Sequence, residues 1–247
     1  MATQHADDLV ETSVEFLRAV KTDDDATAED LRRALAALDP DRLGRDLADD
    51  RAKTAFWTNL YNGFAQLLLR DDPDLWEHRT LIPVPKLFSK RLVTVAGHTM
   101  SLDDIEHGLL RRSKSAAGLG YLPRLRTGAF EQENRVAVPD PRIHFALNCG
   151  AGSCPPIAAY TAAGLDDGLD TATRSYLETE CEYDSTARGV VRVPKLFSWY
   201  RGDFRGKAGT VDFLERYDVV PVGKRPKLVF KPYDWSMKLG MYADERS

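Results

Sequence analysis

Residues 51–70, RAKTAFWTNLYNGFAQLLLR, constrain the fold more than any other stretch. Phe56, Trp57, Leu60, Tyr61, Phe64 and Leu67–Leu69 follow a helical period, yet together they cover most of the helix circumference. A helix that is apolar on nearly every side has to be surrounded, so the segment predicts a central helix enclosed by other elements. Amides inside such a helix need hydrogen-bond partners. Asn59 and Asn62, three apart on neighbouring parts of one face, therefore either brace a loop or line a binding cleft.

The enclosing elements are legible on both sides of this helix. Upstream, DDLVETSVEFLRAV sets Leu9, Val10, Val14, Phe16, Leu17 and Val20 near one stripe, and TAEDLRRALAALD opens with Thr27 and Asp30 at capping-box spacing. Residues 1–50 thus read as an N-terminal helical extension sharing one core with a main domain over 51–247. Downstream, RLVTVAGHTMSL has the form of a β-hairpin around Gly97 and His98, and SLDDIEHGLLRR starts a helix with Ser101 as N-cap. Residues 113–137 show no sustained period and are rich in small and polar residues, which predicts a long surface loop acting as a flap beside a site. RIHFALN (142–148) reads as a strand. A helix within 164–180, a hairpin in 181–193, short helices near 196–200 and 209–217 and a last strand within 226–235 follow. VPKLFS occurs at 84–89 and again at 193–198 without the even spacing of an array, which predicts two similar strand-to-turn connections, with a paired basic site using Lys86 and Lys195 as the alternative reading. Helices first and mixed elements afterwards define an α+β class: N-terminal helices followed by a mixed, mainly antiparallel sheet with packed helices.

Charge and composition exclude several roles. The formal charge is −4, with acidic and basic residues interspersed, which argues against nucleic acid as the main partner. No apolar run approaches the ~20 residues that span a bilayer, and MATQHADDLVE lacks the basic-then-apolar pattern of a secretory leader. The expectation is a soluble cytoplasmic protein without a membrane span. Three cysteines do not make a secreted disulfide framework, so at least one thiol is expected to be free.

Two of those cysteines lie in DPRIHFALNCGAGSCPPI (140–157). If 142–148 is a strand, alternation puts His144 and Asn148 on a polar face and continues the apolar face to Cys149, a small core residue. Cys154 follows the flexible GAGS run and precedes prolines able to open a helical turn, where a dipole and free N–H groups stabilise a thiolate. Cys154 as nucleophile, His144 as base and Asn148 as orienter are the residue types that thiol catalysis requires. A Cys149–Cys154 disulfide or redox pair is a second reading. A zinc site is a third, for which Cys181 or His107 would have to complete a ligand set whose spacing matches no usual knuckle, and no metal or cofactor is assigned. A satisfied core histidine beside a glycine turn is the bland alternative.

AFWTNLYNGFA (55–65), SLDDIEHGLLR (101–111), DPRIHFALNCGAGSCPPI (140–157), VPKLFSWYRGDF (193–204) and YDWSM (233–237), in this order, resemble domain-of-unknown-function family 547 over about residues 50–237. The resemblance implies kinship but no activity. It implies that members keep both cysteines of the third motif, which keeps the disulfide reading open, and that some relatives are joined to glutaredoxin-like or other signalling modules. The family usually ends closer to YDWSLN, where Met237 and Lys238 stand here. Its blocks add polar candidates for binding: His107, Arg201 as an anion clamp within Trp199, Tyr200, Arg201 and Asp203, and Asp234 as a third catalytic group or a backbone cap. The resulting expectation is a thiol-dependent hydrolase or acyl transferase acting on an amide or isopeptide of a protein or peptide-like substrate, with a papain-like or transglutaminase-like site by analogy. A non-catalytic interaction or ligand-binding module and a thiol-redox partner are the alternatives.

Overall fold

A computed structural model describes residues 8–79, 82–186 and 189–243. Residues 1–7, where the segment read for a leader pattern begins, lie outside them. Helix α1 (Leu9–Lys21), α2 (Asp25–Ala36) and α3 (Pro40–Asp46) are each opened by an aspartate, Asp8, Asp24 and Asp39, whose carboxylate accepts a first-turn N–H. The cap of α2 is thus Asp24. Thr27 sits inside the first turn and gives both its N–H and its hydroxyl to that carboxylate. Asp49 caps the central helix α4 (Asp50–Asp71) through the Ala52 N–H. Phe56, Trp57, Leu60 and Phe64 are fully buried in α4, as the all-round apolar pattern predicts. α1 crosses it so closely that the Phe16 ring covers Gly63, where a Cβ would stand 2.6 Å from the ring.

Among the described residues the strands form three small sheets rather than one. β1 (His78–Arg79) pairs antiparallel with β2 (Ile82–Pro85), and β3 (Val93–Val95) with β4 (His98–Met100). The latter hairpin turns at Ala96 and Gly97, one position earlier than read, because both residues take the positive φ that a type I′ turn requires. In the third sheet β5 (Glu182–Asp184) pairs antiparallel with β6 (Val190–Val193), which pairs in parallel with β7 (Lys227–Phe230). The tip of the 181–193 hairpin, at 187–188, lies outside the described residues. β2 runs into α5 (Lys86–Ser89), and β6 leads, two residues on, to α8 (Leu196–Trp199), so both VPKLFS copies are strand-to-turn connections. In each, the Leu–Phe pair is buried. The class is α+β.

Residues 113–128 are turns and irregular chain, but α6 (Ala129–Asn134) interrupts the expected loop. α7 (Leu165–Glu180) and α9 (Gly206–Arg216) flank a second apolar cluster of Phe145, Tyr176, Leu177, Val191, Val193, Phe197, Phe204, Phe213 and Leu214. The first cluster surrounds α4 and includes Ile143, Ala146 and Leu147, so residues 140–160 run along the seam between the two.

That seam corrects the reading of RIHFALN. Pro141–Phe145 form a 3₁₀ turn capped by the Asp140 carboxylate, and the chain continues irregularly rather than as a strand. Ile143 through Asn148 are all buried, so no solvent face existed for an alternation to report. No helix starts at Cys154 either: Ile157 bridges to Tyr242, and the next helix begins at Leu165.

Candidate thiol site

Three amides on one face of α4 fix the seam. Asn59 clasps the Tyr160 backbone, accepting its N–H at 2.9 Å and donating to its carbonyl at 2.8 Å, with Ser13 as a further acceptor. Asn62 does the same for the turn before the cysteines: Nδ2 donates to the Ala146 carbonyl at 2.9 Å and Oδ1 accepts the Asn148 N–H at 2.8 Å. Gln66 donates to Asn148 Oδ1 and accepts the Gly240 N–H. Positions i, i+3 and i+7 share a face, so one helix sets the spacing of chain segments far apart in sequence. Asn148, fully buried, also donates to the Pro155 carbonyl at 2.7 Å and accepts from the Gly150 N–H at 2.8 Å, which staples the two ends of the CGAGSCP loop together.

The loop places the two sulfurs 2.9 Å apart. Both cysteines are free, Cys154 buried and Cys149 half-buried, so the solvent order of the pair is the reverse of the strand-based expectation. Gly150 at φ +92 turns the chain where a Cβ would meet Leu69, and Gly152 leaves room for Asp234. Residues 233–238 run beside the loop: Gly152 N–H bonds to the Ser236 carbonyl, Ser153 N–H to that of Asp234, and Lys238 N–H to that of Gly150. This clamp seats the Tyr233 hydroxyl 3.4 Å from Cys154 Sγ. Burial pushes the Cys154 thiol up, but hydrogen bonds from Cys149 Sγ, the Tyr233 hydroxyl and the Cys149 and Ala151 N–H groups outweigh it and bring it down to about 7. Cys149, as donor to Cys154 and by burial, is pushed up.

His144 belongs to a second buried cluster. Its Nε2 lies 2.8 Å from Asp203 Oδ2, and its ring stacks on Tyr200 at 3.8 Å. Asp203 also receives Arg111 Nε at 2.6 Å and Lys114 Nζ at 2.7 Å. Burial opposes the charge on Asp203, and His144 and Arg111 outweigh it, holding the carboxyl far below its ordinary range. Burial lowers the His144 pKa, with Asp203 opposing. No hydrogen bond joins His144 to either cysteine among the described residues. Ser101 and Asp104 form a reciprocal cap, and residues 104–110 then wind as a π-helix, whose wide turns put Glu106, His107 and Arg111 together against this cluster. Arg111 Nη1 donates to His107 Nδ1 at 2.7 Å, so the His107 proton sits on Nε2, facing Asp103 at 3.5 Å. Burial brings His107 down to about 4. Glu106 Oε2 lies 3.4 Å from the Tyr61 hydroxyl, while Glu106 Oε1 and Arg111 Nη2 are buried without a hydrogen-bond partner.

The structure thus brings Cys154, Cys149 and Asn148 together, with Asn62 beneath them, and gathers His144 and His107 around Asp203 and Arg111. Asn59 lies one helical turn away, on Tyr160. Arg201 is half-buried and makes no side-chain hydrogen bond or ion pair among the described residues. Asp234 is exposed and caps the Ser236 N–H. Tyr233 and Gln66 were missed; the aromatic YDW block and the helical i, i+4 position after Asn62 were the available signals. Cys181 is the C-cap of α7, packed against the second apolar cluster and pushed up to about 12 by burial. Among the described residues no group of three or more His, Cys, Asp or Glu side chains could hold a metal ion, and no helix is long and apolar enough to cross a membrane.

Fold and site together define an α+β protein with a braced thiol pair beside a buried histidine–carboxylate cluster. The chain belongs to the family described as "Protein of unknown function, DUF547", which matches residues 45–177, more than half its length. No curated protein and no solved structure matches it.

Proposed function

We propose that the chain performs thiol–disulfide exchange on a protein or peptide-like disulfide, with Cys154 as the attacking thiolate and Cys149 as the resolving thiol. The observation that carries this reading is the 2.9 Å Sγ–Sγ approach, in which one sulfur donates and the other accepts. Cys154 thiolate attacks a substrate sulfur and a mixed disulfide forms as the substrate's other sulfur leaves. Cys149 then loses its proton and attacks Cys154 Sγ. The internal disulfide forms, the second substrate sulfur leaves, and both leaving sulfurs take up protons. The dithiol loses two electrons, the substrate gains them, and a low-molecular-weight thiol regenerates the pair.

A small linear disulfide offered to the reduced protein tests this. The expected product lacks two hydrogens and two free thiols and carries a Cys149–Cys154 link by peptide mass spectrometry, while the Cys149→Ser variant stops at a mixed disulfide on Cys154. Mixed disulfides at random cysteines, with no internal link, refute it.

Acyl transfer from an amide or isopeptide is the second reading. It would use the same thiol, with the His144 imidazole, held by Asp203, as proton acceptor once the two are brought together. A covalent Cys154 adduct with an acylating probe that disappears in the His144→Ala variant would favour it. Iodoacetamide labelling of Cys154 no faster than in the denatured chain would leave a non-catalytic binding module.

A further inference from the structure

Segment 112–126 carries Arg112, Lys114, Arg124 and Arg126 and no acidic residue. It doubles back on itself: Ser115 N–H bonds to the Leu122 carbonyl and Arg124 N–H to that of Ser113. The fold-back lies on the 201–207 turn, with Gly202 N–H on the Leu119 carbonyl at 2.7 Å, Gly120 against Asp203, and the Tyr121 hydroxyl beside Gly206. Lys114 is spent on Asp203, and Arg124 on Asp104 and Glu131. Arg112, Arg126, Arg205 and Lys207 are exposed, and together with Arg201 make no side-chain ion pair among the described residues. Between these cations the fold-back projects apolar side chains into solvent: Tyr121 and Leu122 more than half exposed, and Leu125 wholly so.

We propose that this face docks on an anionic lipid bilayer, with Leu122 and Leu125 entering the headgroup–acyl boundary, Tyr121 at the headgroup level, and Arg112, Arg126, Arg201, Arg205 and Lys207 on lipid phosphates. Charge complementarity carries the choice of occupant, since a chain of net charge −4 concentrates unneutralised cations here. The shape selects a fluid surface: Leu125 touches nothing of its own protein, and separate projecting tips need matched sockets in a folded partner but none in lipid. Cations interleaved with the tips can extend their heads to phosphate while the leucines bury.

Co-sedimentation of the full chain with phosphatidylcholine vesicles, and with phosphatidylcholine–phosphatidylglycerol vesicles, tests this. Binding is expected only to the anionic vesicles. Arg112→Gln and Arg126→Gln should each weaken it about fivefold. Leu122→Ser with Leu125→Ser should weaken it by roughly tenfold or more. Val222→Ser, exposed elsewhere, should leave it unchanged, and far-UV circular dichroism confirms that each variant is folded. A Tyr121→Trp variant should shift its emission to the blue on anionic vesicles. Failure of the folded wild type to bind anionic vesicles overturns the proposal. So does binding that ignores the leucines and is displaced by polyglutamate, which would assign the face to an acidic polypeptide.

Discussion

Asn62→Ala tests how the thiol site is built. The substitution strips two buried backbone groups, the Ala146 carbonyl and the Asn148 N–H, of their partner at a position with zero solvent exposure. Each buried unsatisfied group costs about 1–3 kcal/mol, so the loss of stability should be about 3–5 kcal/mol once imperfect relaxation is included. With a urea dependence of about 1–3 kcal/mol per molar, the midpoint should fall by at least about 1 M. The sharper expectation is chemical. Cys154 owes its low pKa to donors placed by this loop, so iodoacetamide labelling across pH should show its apparent pKa rising from about 7 toward the free value of ~8.5. Asn59→Ala is the control. It removes a comparable set of buried bonds, at Tyr160 and Ser13, and should cost similar stability while leaving the Cys154 profile in place. Equal effects of the two variants on Cys154, or an Asn62→Ala protein with an unchanged midpoint, would refute the idea that this amide positions the thiols.

Tyr233→Phe removes the hydroxyl 3.4 Å from Cys154 Sγ and should also raise the labelling pKa of Cys154, with little change in the urea midpoint. Asp203→Asn leaves Arg111 and Lys114 without their counter-charge and should cost about 3–5 kcal/mol in urea unfolding. His107 has a folded pKa of about 4 against 6.5, so the unfolded chain takes up this proton first as pH falls. Stability present above pH 6.5 is lost progressively toward pH 4, by about 3 kcal/mol at ~1.4 kcal/mol per unit. Asp103, raised to about 7 by burial and by Glu106, works in the opposite sense, since its folded carboxyl is protonated first. Asp103→Asn should therefore steepen the acid loss of stability seen in urea midpoints measured through this window; an unchanged slope would refute the pairing of the two effects.

The central helix was legible because its apolar residues left no solvent face, and the Ser101 cap because its partners are three residues apart. The amides Asn59 and Asn62 were legible as anomalies, but what they brace was not, since the braced groups are backbone atoms more than eighty positions away. RIHFALN was misread for the same physical reason that made α4 easy: full burial erases periodicity in a short segment, where length cannot arbitrate between strand and turn. Asp203 stood out only as part of a charged corner. Its role as the common acceptor of His144, Arg111 and Lys114 depends on long-range docking that no local pattern encodes.

The clamp of residues 233–238 across the CGAGSC loop has a consequence for the order of assembly. These residues leave the ribosome well after both cysteines; Tyr233 adds a hydroxyl beside Cys154, and the run behind it bonds to the backbone of the loop. During synthesis the two thiols therefore pass through an interval without the Tyr233 hydroxyl beside them, and the set of hydrogen bonds around Cys154 closes only when the later chain docks.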